Sequence, residues 1–510
     1  MLLKLHGAGP LYRRIYRALR GKILAGDLGP GARLPSTRAL AQANACSRNT
    51  ALIAYDQLAA EGYISGRRGA GCFVSGALPG GAHPRLRRAL PVAPAAQPSF
   101  GLSAYAQRVA ASRRRPEPGP MQRYDFRYGV PSERDFPDAA WRRLLARNAR
   151  DATLASRMYG DAQGLARLRR EIASYLSRSR AVDCSAEQVL IVNGAQQALD
   201  LAARTLLDPG DTAAIEDPCY LGARQAFAAA GARLVPVGVD ADGLDIGRLT
   251  RAPARLRLVY ATPSHQFPTG VTMPLARRLA LLDWLRAQRA WLIEDDYDSE
   301  HRYEGRPIEA IHALDDRGQV LYVGTLSKTL FPALRLGYLV LPPALVEPFV
   351  AVKHVSDRHT PTLAQEVLAD FIGEGHYERY LRRTRRRNAA RRKALLVALA
   401  RHFGERIEIS GANAGAHMLV WLTGVRPART AEIVARAAEA GVGVYSAAPY
   451  YFGGAPHAGL LLGYANLEPA EIDTGVARLA RAIGGMLRAE RPPGRRSAHG
   501  AAPDAVAPHP

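Results

Sequence analysis

The stretch GTLSKTLFPALRLGY, residues 324–338, decides the fold of the larger part of this chain. It opens at the end of an apolar run, 320–323, and closes into another, 337–341. Between them Lys328 stands framed by the hydroxyls of Thr325, Ser327 and Thr329. A lysine directly after a buried strand can condense with an aldehyde. Arg335, seven residues on, offers a planar fork for a phosphate, and Ser327 offers a further donor. Working outward, short apolar runs recur at 189–192, 212–215, 256–261 and 291–294, with amphipathic helical stretches at 195–207, 222–230 and 275–287 between them. That alternation predicts an α/β domain with a largely parallel sheet.

Three more segments sit where such strands end, the place where ligands bind in open α/β sheets. Asn193-Gly194-Ala195-Gln196-Gln197 follows a strand and opens a helix, so its backbone N–H groups and the helix dipole suit a phosphate. Glu294-Asp295-Asp296-Tyr297 ends another strand, where a buried carboxylate can pair with a protonated pyridine nitrogen and a phenol can reach a ring hydroxyl. Asp217-Pro218-Cys219-Tyr220 follows a third and brings an aromatic ring suited to stacking on a flat ligand.

Together these segments resemble the fold-type I, pyridoxal 5'-phosphate (PLP) dependent enzymes of the aminotransferase class I/II family, over about residues 122–487. The resemblance implies a large part at about 160–375 and a smaller α+β part at about 376–487. It makes Lys328 the lysine of the internal aldimine, Asp295 the pyridinium partner, Tyr297 the ring-hydroxyl partner and Tyr220 the stacking ring. Ala195, Gln196, Ser327 and Arg335 would form the phosphate cup. Tyr159, in MYGDAQGL, would reach the phosphate of a neighbouring subunit, which implies a homodimer.

The front of the chain is different. Of a net charge of +23, residues 1–122 carry +14 and residues 379–401 carry +10, leaving the other 365 residues at −1. A basic front on a neutral body suggests a polyanion-binding module ahead of a second domain. Residues 10–78 read as three helices and a two-stranded wing: Leu11, Ile15, Leu19 and Ile23 recur at helical spacing, Ser36 and Ser47 are N-cap candidates, and Leu52, Tyr55 and Leu58 are placed on one face. The ordered set LYRRI, GDLGPGARLPSTR, CSRNTA, YDQLAAEGYI and RRGAGCFV resembles the GntR-type winged helix-turn-helix, here bounded at 9–76. It implies double-stranded operator DNA as partner. The helix opening at Ser47 would enter the major groove with Arg48, Asn49 and Thr50 foremost, while Ser36, Arg38 and the wing residues Arg67, Gly69 and Gly71 would hold the phosphates. Cys72 stands where that family usually has Thr. Residues 77–121, rich in Pro, Arg and Ala, read as a linker, and 488–510 as a disordered tail.

A winged helix, a linker and an aminotransferase-like domain, in that order, resemble the MocR/GabR group of bacterial transcription regulators. The expected function is a PLP-binding regulator that senses an amine, an amino acid or PLP itself through Lys328. The chain departs from the enzymes at three places. Phe267 replaces the Asn beside Pro-Thr-Gly, leaving His265 or Gln266 to take over that Asn's role. Leu461 falls where an arginine forks the substrate carboxylate, and Gly222 where GABA-responsive members carry another. These departures point away from efficient transamination and from GABA, and toward PLP itself as effector, with control of vitamin B6 metabolism. The alternatives are an aminotransferase with a vestigial DNA-binding appendage and a plain GntR regulator without cofactor. The basic run 379–401 is read as a solvated helix face, with a second DNA-contacting surface as the other choice. Four dispersed cysteines, no apolar run of membrane length and no apolar signal core place the protein in the cytoplasm, at the bacterial nucleoid. His301, His359 and His417 are read as structural, and no metal site is expected.

Overall fold

The computed structural model describes residues 1–67, 70–76, 101–112, 119–151, 158–252, 255–303 and 308–489. Gly69 of the wing, most of the stretch read as a linker and the tail from residue 490 lie outside the described residues. The chain divides into two units, Met1–Gly101 and Leu102–Pro510.

The first unit packs α1 (Leu11–Leu24), α2 (Thr37–Ala43) and α3 (Arg48–Ala60) against a hairpin of β1 (Ile64–Arg67) and β2 (Gly71–Val74). Ser36 and Ser47 cap α2 and α3: their hydroxyl oxygens accept from Ala39 N and Thr50 N, at 3.1 and 3.0 Å. Ile15, Leu19 and Ile23 of α1 meet Leu40, Ala54, Tyr55 and Leu58 in one small core. The buried stripe of α3 runs Ala51, Ala54, Tyr55, Leu58, the i, i+3, i+4, i+7 spacing of one helix face. Leu52, expected on that face, is instead 43% exposed. The wing is longer than its turn residues suggested, because Ile64 to Arg67 pair in register with Val74 to Gly71.

In the second unit α4 (Ala104–Ser112) and β3 (Tyr124–Asp125) precede α5 (Asp138–Arg150) and α6 (Ala166–Arg180). Then come β4 (Val189–Val192), α7 (Ala195–Leu206), β5 (Thr212–Asp217), α8 (Leu221–Ala230), β6 (Arg233–Asp240), β7 (Gly243–Leu244), α9 (Ile246–Thr250), β8 (Leu258–Ala261), α10 (Leu275–Gln288), β9 (Trp291–Asp296), α11 (Ile311–Leu314), β10 (Val320–Thr325) and β11 (Gly337–Val340). The eight strands order β4-β11-β10-β9-β8-β5-β6-β7. Neighbours from β10 through β9, β8 and β5 to β6 are parallel, and β11 runs against both its partners. Both faces are covered, as period-2 side chains require. Val189 and Ile191 join a core with α6 residues, while Leu190 and Val192 join one with α7 residues. The largely parallel α/β sheet expected from the apolar runs is the sheet observed. Helix α4 lies within the stretch read as a linker, yet it docks on α8: Arg108 Nε donates to Ala229 O at 2.9 Å, and Gln225 Nε2 to Ser112 O at 3.1 Å.

Helices α12 (Pro343–Asp357) and α13 (Thr362–Gly373) lead to α14 (His376–Phe403), the 28-residue helix that carries the basic run. Its first turns, with Tyr377, Tyr380 and Leu381, belong to the core of the large part. Its later ones, with Leu395, Leu399 and Phe403, belong to that of the small part. The small part holds β12 (Ile407–Ser410), β13 (His417–Leu422), α15 (Thr430–Glu439), β14 (Val442–Gly443), β15 (Tyr445–Ser446), β16 (Ala458–Gly463) and α16 (Pro469–Ala489), with a sheet ordered β12-β13-β16-β15.

The reading of 379–401 as a solvated face holds for seven of its ten basic residues, Arg379, Arg382, Arg383, Arg386, Arg387, Lys393 and Arg401, which are exposed, and fails at Arg391. Arg391 is 1% exposed and bridges Asp135 and Glu468, at 2.6 and 2.7 Å. Arg387 also pairs with Asp135, Arg385 donates to Glu300 O and Arg401 pairs with Asp473. Much of this charge fastens the long helix to segments whose acids lie far away in sequence, which local composition cannot reveal.

Candidate functional site

The carboxyl ends of β4, β5, β9 and β10 open onto a cavity of about 1040 Å³. Lys328, just past β10, is half-buried, and its Nζ donates to Gly129 O at 3.1 Å. Gly129 has φ +73°, a conformation that favours glycine, and a Cβ there would stand 2.7 Å from Nζ. Burial pushes the Lys328 amine below its ordinary range, against the pull of Asp298 and Asp295, which favours the unprotonated, nucleophilic form.

Alternation along β9 sorts its three acids. Glu294 faces away from the cavity and accepts from the N–H groups of Ile311 and His312, at 2.9 and 2.8 Å. Asp296 pairs with Arg180 Nε at 2.8 Å and accepts from Tyr322 at 2.5 Å. Asp295, between them, faces the cavity. Its Oδ2 accepts from Tyr260 OH at 2.7 Å, while its buried Oδ1 has no hydrogen-bond partner. Burial raises this carboxyl to about 7, although the Tyr260 bond pulls the other way.

At the start of α7, Gly194 has φ +83°, and a Cβ there would lie 3.1–3.3 Å from the Arg335 guanidinium. The close approach lets Arg335 Nη2 donate to Asn193 O at 2.6 Å. Ala195, Gln196, Thr325, Ser327 and Arg335 thus surround one end of the cavity, at a helix N-terminus. Tyr220 and Tyr297 line the same cavity, each ring edge-on to Phe267 with centroids 6.0 and 5.9 Å apart.

Lys328, Asp295, Tyr297, Tyr220, Ala195, Gln196, Ser327 and Arg335 are therefore brought together. Two expected residues stand differently. His265 is buried behind the site, with Nδ1 2.9 Å from Tyr297 OH and 3.0 Å from Asp298 Oδ2. It positions the phenol. Tyr159 is 77% exposed beside Arg358 and His359 and is not among the residues lining the cavity. Gln266, the other candidate to stand in for the Asn that Phe267 replaces, is occupied with Glu216, Pro218 O, Phe267 O and Thr269.

Sequence reasoning missed Gly129, Tyr260, Asp298, Tyr128 and Tyr450, and it read His301 and His417 as merely structural although both line the cavity. Tyr260 was within reach, since it stands on a strand adjoining that of Asp295. His265, Asp298 and His417 each bring one ligand atom within 4.8 Å of the others, a juxtaposition from three segments that no chain spacing displays. His265 Nδ1 is engaged with Tyr297 and Asp298, and His417 Nε2 with Pro268 O at 3.3 Å, while His265 Nε2 and Asp298 Oδ1 have no hydrogen-bond partner. Burial drives the His417 imidazole down to about 3, so it stays neutral. Burial pushes the Asp298 carboxyl up, but His265, His417 and His301 outweigh it and hold the group below its usual range.

In the first unit, Ser36, Arg38, Arg48, Asn49, Arg67 and Gly71 are exposed and Thr50 is half-buried. Ser36 and Ser47 spend a lone pair on capping. Arg67 lies over the Phe73 ring, 4.9 Å from its centroid, and Gly71 takes φ +103° at the hairpin. Arg48 and Asn49, at the free N-terminal end of α3, have the placement of a recognition helix's leading residues.

Residues 130–479 match the family described as aminotransferase class I and II, and residues 11–74 the gntR family of bacterial regulatory proteins. The chain is 40% identical over 476 residues, 93% of its own length and 94% of the other's, to the probable rhizopine catabolism regulatory protein MocR of Rhizobium meliloti. It is 33% identical over 369 residues, 72% of this chain and 74% of the other, to the pyridoxine biosynthesis transcriptional regulator PdxR of Corynebacterium glutamicum. Among solved structures it resembles LysN, an alpha-aminoadipate aminotransferase of Thermus thermophilus crystallised with N-(5'-phosphopyridoxyl)-L-leucine, at TM-score 0.66 and 31% identity, covering 72% of this chain and 93% of that one. The chain's own atoms fit PLP: an unpartnered buried Asp295 oxygen for a pyridinium N–H, a guanidinium and a helix N-terminus for the phosphate, and an enclosed amine for the aldehyde.

Proposed function

Because the chain belongs to the aminotransferase class I and II family and carries a gntR-family unit at its front, we propose that it is a PLP-binding transcription regulator whose Lys328 site controls its grip on operator DNA. When bound, PLP supplies an aldehyde that condenses with primary amines on an electron-poor ring. The chain's residues do the rest. Arg335 and the start of α7 hold the phosphate, Asp295 holds the ring nitrogen's proton, Tyr297 (steadied by His265) meets the ring hydroxyl, and Tyr220 covers the ring face. The observation that carries the reading is this complete set in one cavity on a chain that also holds a winged helix. The effector is an amine or PLP itself, and the related PdxR, named for pyridoxine biosynthesis, supports PLP as one candidate.

Catalytic transamination is the weaker reading, because Leu461 stands where the substrate-carboxylate arginine of the enzymes would be. Two copies form the working unit, each offering its exposed Tyr159 to the other's phosphate cup; sedimentation at twice the chain mass is the check. No helix among the described residues is long and apolar enough to cross a membrane; the gntR-family unit is what supports work at the nucleoid in the cytoplasm. The test of the cofactor assignment is optical. Purified protein with PLP is expected to show a visible absorption band that Lys328→Ala abolishes while apo DNA binding survives; a band that persists in the variant overturns the role of Lys328.

A further inference from the structure

We infer that the cavity wall beyond Lys328 receives the body of a primary amine that carries a neutral ring and no carboxylate. The inference rests on the reading that Lys328 holds PLP, and it names the class of effector.

Among the described lining residues, Lys328 and Arg335 are the only lysine and arginine, and Arg335 is turned toward the phosphate cup through Asn193 O. The wall that continues from Gly129 is aromatic. The Tyr128 ring lies 6.1 Å from Phe267, 6.2 Å from His417 and 6.5 Å from Tyr450, and Phe267 and Tyr450 meet edge-on at 4.9 Å. The Tyr128 and Tyr450 hydroxyls are hydrogen-bonded to each other. Beneath these rings lies Leu461, fully buried, opposite Leu419 on one side and Tyr445 on the other.

Among the described residues, the histidines nearby do not answer an acid: His265 is engaged with Asp298, His417 stays neutral, and burial lowers the His301 imidazole. Arg127, which reaches the same aromatic cluster through Tyr445, is paired with Asp125 at 3.3 Å and is not a lining residue. Position 222 supplies no basic group, being glycine, with the Gln196 amide and the Tyr220 ring filling the space a side chain would take. The buried acid Asp298, held below its usual range, lines the cavity and would repel an incoming carboxylate. Desolvating a carboxylate here without a partner is strongly unfavourable, whereas a neutral ring gains contact with aromatic faces and tyrosine hydroxyls.

The exchange balances without a redox partner. With PLP held on Lys328, an incoming amine's nitrogen would take the place of Lys328 Nζ on the aldehyde carbon, and the lysine would leave with the two protons the amine gives up. The freed Lys328 amine then stays beside Gly129 O, in a site that tolerates its neutral form.

The experiment uses the full-length PLP-loaded chain and two probes that differ by one carboxylate, phenethylamine and L-phenylalanine, followed by the shift of the visible band. Phenethylamine is expected to reach its half-point at a concentration at least about 10-fold lower, the effect of an unpaired buried charge. L-Phenylalanine acting at an equal or lower concentration overturns the inference. A visible band that neither amine shifts also overturns it while leaving the Lys328 reading intact. Absence of any visible band with PLP overturns both.

Discussion

Asp295 is held against its own burial, with one oxygen fastened to Tyr260 and the other left without a partner. In the apo-protein its carboxyl, raised to about 7, prefers the neutral form. A raised folded-state value means that the folded protein binds the proton more tightly than the unfolded chain. The stability this contributes is full at pH below about 4 and is lost as pH rises through about 7. Asp295→Asn has no such loss, so its apo melting temperature should gain on wild type between pH 5 and pH 8. PLP should reverse the comparison, stabilising wild type more than the variant, because the pyridinium supplies the missing partner. A melting difference independent of both pH and PLP would refute this role. Lys328, Asp295 and Arg335 were legible because strand-end position and residue type made them candidates and the resemblance to the aminotransferase family gave them roles. Asp298, His417 and Tyr128 were not, because their proximity arises only when the small part's strand β13 and the turn after β9 close on the cavity.

At the scale of elements, the inner strands were legible almost residue for residue, since strands buried on both faces appear as unbroken apolar runs. Strand β6 escaped, because it lies toward the sheet edge and much of it is only half-buried. Helix α4 escaped because none of its side chains is fully buried, and its docking depends on hydrogen bonds to α8. The basic helix α14 shows how charge can mislead. Arg391→Ala should cost roughly 3 kcal/mol, because it removes the buried cation that the buried Asp135 faces, leaving that acid only the half-exposed Arg387. Arg386→Ala, at an exposed position of the same helix, should cost less than about 0.5 kcal/mol. Urea denaturation of both variants checks the contrast, and equal losses would return Arg391 to the solvated face.

For the whole molecule, the concentration of charge at residues 1–122, with +14 against +9 over the much longer remainder, divides two tasks between two units. The order of the motifs revealed that division, but how a ligand at Lys328 alters DNA binding belongs to an equilibrium between states, which no motif encodes. The coupling free energy between two such sites is typically about 1–3 kcal/mol, or about 5–150-fold in affinity. The direct measurement is fluorescence anisotropy of the full-length chain on DNA from upstream of its own gene, as apo-protein, with PLP, and with PLP plus phenethylamine, in parallel with Lys328→Ala. The account predicts a Kd for wild type that differs at least about 5-fold between two of the three conditions, and a variant that binds as apo wild type does and responds to neither ligand. An unchanged wild-type Kd across all three, or a variant that responds as wild type does, would contradict it.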